Sequence, residues 1–272
     1  MCRISLQKRR GLTLIELVVV MAVLVGLAAV LVPNLPQLIG QANQASGVTN
    51  IVDLDKLMQT YFATHSAYPD KYDSLLSNST LSTLLPTPEG SGGSAVGGWV
   101  VAGTVDAGQL ARLQRVGITQ VCDFDDASAV HATLYPYGAT ESVTPTARTL
   151  AASGAVAVLG KKSSSYAGAI SGVYLDDTHT YVVVGIGNPC TLCGVDGQIR
   201  EAPMYRHHKA ITPPDEMYQR LCAVFDVGPT GTTGKGADAK LVAVVGLKGQ
   251  KLSPASEVLG SYGSADSAPG YN

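Results

Sequence analysis

Aromatic side chains are scarce in this chain: one tryptophan and three phenylalanines among 272 residues, with aromatics at 6%. Glycine is plentiful at thirty residues, so packing rests on small side chains and the chain turns often. Charge is scarce too, at 15%. Four of the nineteen Lys and Arg (Arg3, Lys8, Arg9 and Arg10) fall in the first eleven residues; the remaining fifteen face twenty-one acidic side chains, a net charge of −6. No basic cluster survives beyond residue 11, which argues against electrostatic binding of nucleic acid or of anionic lipid surfaces. Catalytic signatures are missing as well: no Ser-His-Asp set, glycine-rich phosphate loop or carboxylate pair has supporting context. The run Gly185-Ile186-Gly187-Asn188-Pro189 lacks the third glycine and the following helix that a dinucleotide site needs. What the chain does have in quantity is apolar residues, 46% of the total, enough for one anchor and a globular region of one or two small domains.

The most ordered stretch lies at the start. Lys8-Arg9-Arg10 stop at Gly11, and residues 12–32 then carry a single charge, Glu16, before Pro33. A helix over those residues would be about 31 Å long at ~1.5 Å per residue, the thickness of a bilayer's hydrocarbon core. A carboxylate inside such a span is costly and marks a functional position. A secretory signal peptide would need a shorter apolar core and a small-residue cleavage site. A plain single-span anchor explains the basic flank but leaves Glu16 without a role.

This stretch resembles the N-terminus of the type IV pilin superfamily, which includes type IV pilins, type II secretion pseudopilins and competence pseudopilins. In that family a short basic leader ends in glycine, a prepilin peptidase cuts after it, the new N-terminal residue is N-methylated, and glutamate sits at the fifth mature position. The resemblance makes Gly11 the residue before the cut and Leu12 the methylated residue, where most members carry phenylalanine. It makes Glu16 the assembly glutamate, and it sets Pro33 where members often have a helix-kinking proline. It implies a filament subunit rather than an enzyme, with prepilin peptidase, identical or related subunits, an inner-membrane assembly platform and the lipid bilayer as partners. It also implies a single-pass inner-membrane precursor whose C-terminal domain lies outside the cytoplasm, and then a periplasmic or surface filament. The rival reading is a single-span membrane-anchored extracytoplasmic enzyme or binding protein that never polymerises.

Beyond Pro33 and Pro36 the sequence turns polar, while Leu38, Ala42, Ala45, Ile51, Leu54, Met58 and Tyr61 keep a three-four spacing that predicts one apolar stripe on a helix from about Gln37 to Thr64. A sheet is its natural cover. Pro69 ends this stretch and Asp70 is placed to cap a short helix through Leu76; Tyr68-Pro69 followed by such a helix also resembles type II secretion pseudopilins. Residues 86–98 are a Gly/Pro-rich loop. Strands are expected at Trp99–Thr104, Ile118–Phe124, Ala155–Leu159, Thr180–Ile186, Ala223–Val227 and Leu241–Leu247. The fourth is apolar on both faces and therefore central. Asp106 and Gly117 bracket a helix Ala107–Val116, and Pro213-Pro214 open another to about Leu221. The fold class is thus α+β: a long N-terminal helix on a mainly antiparallel sheet. The expected organisation is a leader at 1–11, a long helix at 12–65 with a transmembrane part at 12–32, short helices and a linker at 66–98, a globular domain at 99–252, and a flexible tail at 253–272.

Five cysteines are present. Cys2 leaves with the leader, and Cys122, Cys190, Cys193 and Cys222 remain, an even number in a domain expected outside the cytoplasm, where disulfides persist. Cys190 pairs with Cys193, or each with a distant partner; sequence leaves the connectivity open. Zinc at Cys190, Cys193 and Cys222 is disfavoured because His207 and His208 are adjacent, whereas zinc-binding histidines are separated by three to five residues. Asp123, Asp125 and Asp126 are calcium candidates, since some pseudopilins bind calcium in this domain, but they supply three of the six to eight oxygens the ion takes. No cofactor is otherwise expected.

Overall fold

The computed structural model describes residues 14–31, 35–83, 85, 98–124, 146–203, 218, 220–231, 236–248 and 251–254. Two compact units divide the chain, Met1–Ala42 and Asn43–Asn272. The first contains helix α1, Leu14–Leu31, and the start of helix α2, Leu35–His65. Among the described residues no helix is long and apolar enough to cross a membrane. Leu12, Thr13 and Val32, the ends of the span expected over residues 12–32, lie outside the described residues. The described α1 has eighteen residues, about 27 Å of rise where a bilayer core is roughly 30 Å. Pro33, the expected kink, lies outside the described residues, as do Gly11 and Leu12.

In the second unit α2 presents Val48, Ile51, Leu54 and Met58, all buried, at the three-four spacing that lines up one face. Asp53, Lys56 and Gln59 are exposed, and Gln59 Nε2 donates to Asp55 Oδ2 at 2.8 Å. The helix closes when Ser66 enters the left-handed region at φ 53°, its N–H bonded to the Phe62 carbonyl at 2.8 Å.

The buried stripe of α2 lies against a nine-stranded sheet. Its strands in chain order are β1 (Tyr72–Asp73), β4 (Val100–Thr104), β5 (Gln120–Asp123), β6 (Thr146–Thr149), β7 (Ala155–Leu159), β8 (His179–Gly185), β9 (Leu221–Pro229), β10 (Lys240–Lys248) and β11 (Lys251–Ser253), with β2 (Leu76–Ser77) and β3 (Thr80–Leu81) forming a separate hairpin. The main path runs β11-β10-β9-β8-β1-β5-β6, while β7 joins β8 and β4 pairs with β7. Among the described strand pairs, only β1 with β5 is parallel. The expectation of a helix on a mainly antiparallel sheet therefore holds, and β8 is central, buried on both faces from Tyr181 to Gly185.

The two faces separate by the alternation of the strands. Along β9, Leu221, Ala223 and Phe225 join the cluster under α2 and helix α3 (Ala107–Arg115), together with Val182 and Val184 of β8. Cys222 and Val224 point the other way, toward Leu75, Leu76, Trp99, Tyr166 and Ile170. α3 has the cap the sequence predicted: Asp106 accepts from Gln109 N at 2.7 Å and the Gln109 side chain accepts from Asp106 N at 3.1 Å, a reciprocal box. Gly117 follows at φ 90°, where an added Cβ would come within 2.8 Å of Ala67 Cβ.

Three local expectations fail. No helix forms at 70–76: Lys71 and Leu75 sit in the left-handed region at φ 60° and 61°, Tyr72 and Asp73 pair with Val121 and Cys122, and Asn78-Ser79, both at positive φ, close the β2–β3 hairpin as a two-residue turn of the type whose twist suits a hairpin. The carboxylate of Asp70, expected to cap that helix, instead accepts from Thr119 N and Gln120 N at 2.9 and 2.8 Å. The helix expected to reach Leu221 does not, because Leu221 opens β9; residues 212–217 lie outside the described ones. Ser253, assigned to the tail, belongs to β11, with Leu252 beside it fully buried.

Candidate functional site

Every side chain of α1 from Leu14 to Ala29 is exposed, and apart from Glu16 they are Leu, Ile, Val, Met, Ala and Gly on all sides of the helix. Glu16 occupies the first turn, where the helix dipole favours a carboxylate. Water is a poor medium for such a surface, since each large apolar side chain left exposed forgoes roughly 1.5–3 kcal/mol of burial. A helix apolar all round is stable when lipid or other apolar helices surround it. The chemistry this segment offers is association, with one carboxylate inside an apolar contact.

The four cysteines of the second unit are all buried and all free thiols, so the expected disulfides are not present in this structure. Register explains part of this. Cys122 is opposite Asp73, Asp73 opposite Gly185, and Gly185 opposite Cys222, so the two cysteines share a face but stand three strand spacings apart, about 14 Å. A disulfide needs Cα atoms within roughly 7 Å. Burial pushes the Cys122 and Cys193 thiols up to about 11, and raises Cys190 and Cys222 well above the ordinary range. Asp123 commits both carboxylate oxygens to Arg148, at 2.7 Å from Nε and 3.1 Å from Nη2; Asp125 and Asp126 lie outside the described residues, as do His207 and His208. Among the described residues no group of three or more His, Cys, Asp or Glu is placed to hold a metal ion.

Sequence reasoning missed a buried polar cluster on the face away from α2. Asp73 is fully buried and its Oδ2 accepts from the Tyr218 hydroxyl at 2.8 Å, while Oδ1 has no hydrogen bond among the described residues. Arg220, 1% exposed, donates Nη1 to the Ala202 carbonyl. Burial raises the Asp73 carboxyl to about 7, opposed by the Tyr218 hydrogen bond and the Arg220 charge. The two glycines of the Gly185-Ile186-Gly187 run make room for this cluster: a Cβ on Gly185 would collide with the Tyr218 hydroxyl, and one on Gly187 with the Asp73 carboxylate. A glycine pair that superficially suggests a nucleotide loop is thus a packing requirement, and no sequence signal linked it to an aspartate more than a hundred residues earlier.

The family described as "Prokaryotic N-terminal methylation motif" matches residues 6–31, the segment that runs from the basic residues Lys8-Arg9-Arg10 through α1. Over 81 residues, 30% of this chain and 52% of the relative, the sequence is 33% identical to "Type II secretion system core protein G" of Pectobacterium carotovorum subsp. carotovorum. The match thus spans about half the length of that curated relative. No solved structure matches the chain. Gly11, the first-turn Glu16 and the apolar helix α1 fall within one matched segment, and this chain carries the prokaryotic, prepilin-type N-terminal methylation motif.

Proposed function

We propose that this chain is a pilin-like filament subunit of a type II secretion pseudopilus or a related type IV pilus, and that its activity is assembly rather than turnover. The observation that carries the reading is α1, an exposed helix apolar on every side with Glu16 alone in its first turn, lying within a matched methylation motif. Prepilin peptidase cuts between Gly11 and Leu12, and Leu12 becomes the methylated amine. Before assembly the apolar segment holds the precursor in the inner membrane with the second unit outside. In the filament, α1 helices of identical or related subunits replace lipid around one another, and the assembly platform supplies the subunits.

Glu16 gives this exchange its register. A carboxylate surrounded by apolar helices requires a cation, and the amine at Leu12 of a neighbour, or of the same subunit, is the nearest one that processing creates. Removing one partner of a buried pair costs about 3–5 kcal/mol, because the other charge is left without compensation. Glu16→Ala removes the carboxylate, and with it the neutralisation that selects the docked position. Co-expressed with a prepilin peptidase, wild type and Glu16→Ala should both lose residues 1–11 and gain one methyl group, read by intact mass, and both should fractionate with membranes. Only wild type should yield filaments by electron microscopy of sheared material. A chain that keeps its leader, or a Glu16→Ala chain that assembles as well as wild type, would sink the reading.

A further inference from the structure

The turn Cys190-Thr191-Leu192-Cys193 is held from several sides. Cys190 N donates to the Gly187 carbonyl at 3.1 Å and Cys193 N to the Cys190 carbonyl at 2.8 Å, so the two cysteines are the ends of one hydrogen-bonded turn, whose first and last Cα atoms lie within 7 Å. That is inside the range a disulfide spans. The two intervening residues are docked. Thr191 N donates to the Asp70 carbonyl at 2.9 Å, and Asp70 N donates to Thr191 Oγ1 at 2.8 Å. Leu192 is fully buried, and its carbonyl accepts from Ile199 N at 3.1 Å. Both Cys190 and Cys193 belong to the cluster under α2 and α3, whereas Cys222 lies in the cluster on the opposite face and Cys122 shares that opposite face through its register with Asp73. The sheet itself separates the two pairs.

We propose that Cys190 and Cys193 are a redox pair that closes by thiol–disulfide exchange while the chain folds, and that Cys122 and Cys222 stay thiols in the same molecule. The oxidant is a disulfide, small or protein-borne. One cysteine thiolate attacks a sulfur of that disulfide, releasing one thiol and forming a mixed disulfide. The second cysteine thiolate attacks the cysteine sulfur of the mixed disulfide and expels the second thiol. The net change is two cysteine thiols to one S–S bond, with the oxidant reduced to two thiols and protons conserved.

The timing follows from burial. In the folded chain Cys190 is 1% exposed and Cys193 8%, and burial raises both thiols, which depletes the thiolate that exchange requires. A chain that has folded reduced is therefore closed to oxidation, and one that has folded oxidised is closed to reduction. The pair records the redox state in which folding took place. This inference does not depend on the filament reading, since it concerns folding of the second unit alone.

The test uses the full chain in detergent. Denatured, reduced protein is refolded with oxidised glutathione, quenched with an alkylating agent after denaturation, and mapped by peptide mass. The expected result is a Cys190–Cys193 disulfide with Cys122 and Cys222 alkylated, and the same disulfide in a Cys122→Ser/Cys222→Ser variant. In a second arm, folded reduced protein meets the same oxidised glutathione without denaturant, and Cys190 and Cys193 should remain alkylatable at least tenfold longer. A disulfide involving Cys122 or Cys222, failure to pair on refolding, or equal oxidation rates in the two arms would each overturn the proposal.

Discussion

Asp73 makes the stability of the second unit depend on pH in a direction opposite to that of an ordinary carboxylate. Its pKa rises from 3.8 in the unfolded chain to about 7 in the folded one, first through burial, with the Tyr218 hydrogen bond and Arg220 pulling it back. Between those values the folded state retains a proton that the unfolded chain has released. The contribution is therefore fully present below about pH 4 and is lost as pH rises through about 7. A rise of that size corresponds to about 4 kcal/mol, and because Asp73 is fully buried solvent screening does not reduce it. Between pH 4.5 and 8 the accessible part is about 3 kcal/mol by the same linkage. Asp73→Asn cannot ionise but keeps an oxygen to accept from Tyr218. Urea titrations of wild type and Asp73→Asn, followed by near-ultraviolet circular dichroism at pH 4.5, 6 and 8, isolate the effect. The other carboxylates are common to both chains, so their titration cancels in the difference. Relative to the variant, wild type should lose about 3 kcal/mol across this window. A difference that stays flat with pH would show that Asp73 is ionised in the folded state throughout, and that burial is offset by Arg220.

Two further substitutions probe the same unit. Gly187→Ala drives a Cβ into the Asp73 carboxylate and should cost about 1–3 kcal/mol as overpacking, measured by urea midpoint; an unchanged midpoint would mean the cluster is free to move aside. Asp106→Ala removes the α3 cap and the acceptor for Gly231 N at 2.7 Å, and should cost about 1 kcal/mol, a thermal midpoint lower by about 2–4 °C in a unit of this size. No shift would mean that water caps α3 as well as the carboxylate does.

The parts of this molecule written in local periodicity were legible. β4, β7, β8, β9 and β10 are rich in valine, alanine and leucine and, with β5, read as strands to within a few residues, and the Ile51, Leu54, Met58 stripe announced the buried face of α2. Glu16 stood out because it is alone in an apolar stretch. What could not be read depends on partners far along the chain. Tyr72-Asp73 is too short to show a strand pattern, and it becomes one only because β5 and β8 receive it on either side. β6 is largely exposed and has no apolar alternation to advertise it. The Asp73 cluster joins residues separated by 145 positions, and the cysteine arrangement followed from register, which no spacing rule supplies. Asp70 was recognised as a capping residue, but the donors it caps belong to Thr119 and Gln120 rather than to a helix of its own.

The place of β1 has a consequence for the order in which the chain can complete itself. Its two residues leave the ribosome before either neighbour exists, and the junction around Asp70 waits for partners 49, 50 and 121 positions later. Closing such separations costs loop entropy before any contact offsets it, so pairings of this kind come late and slowly. Truncation between β5 and β8 would leave β1 with β5 alone. The middle of the sheet is consequently its last seam to shut, and any factor that holds the chain extended while it folds would act on this seam before the rest of the unit.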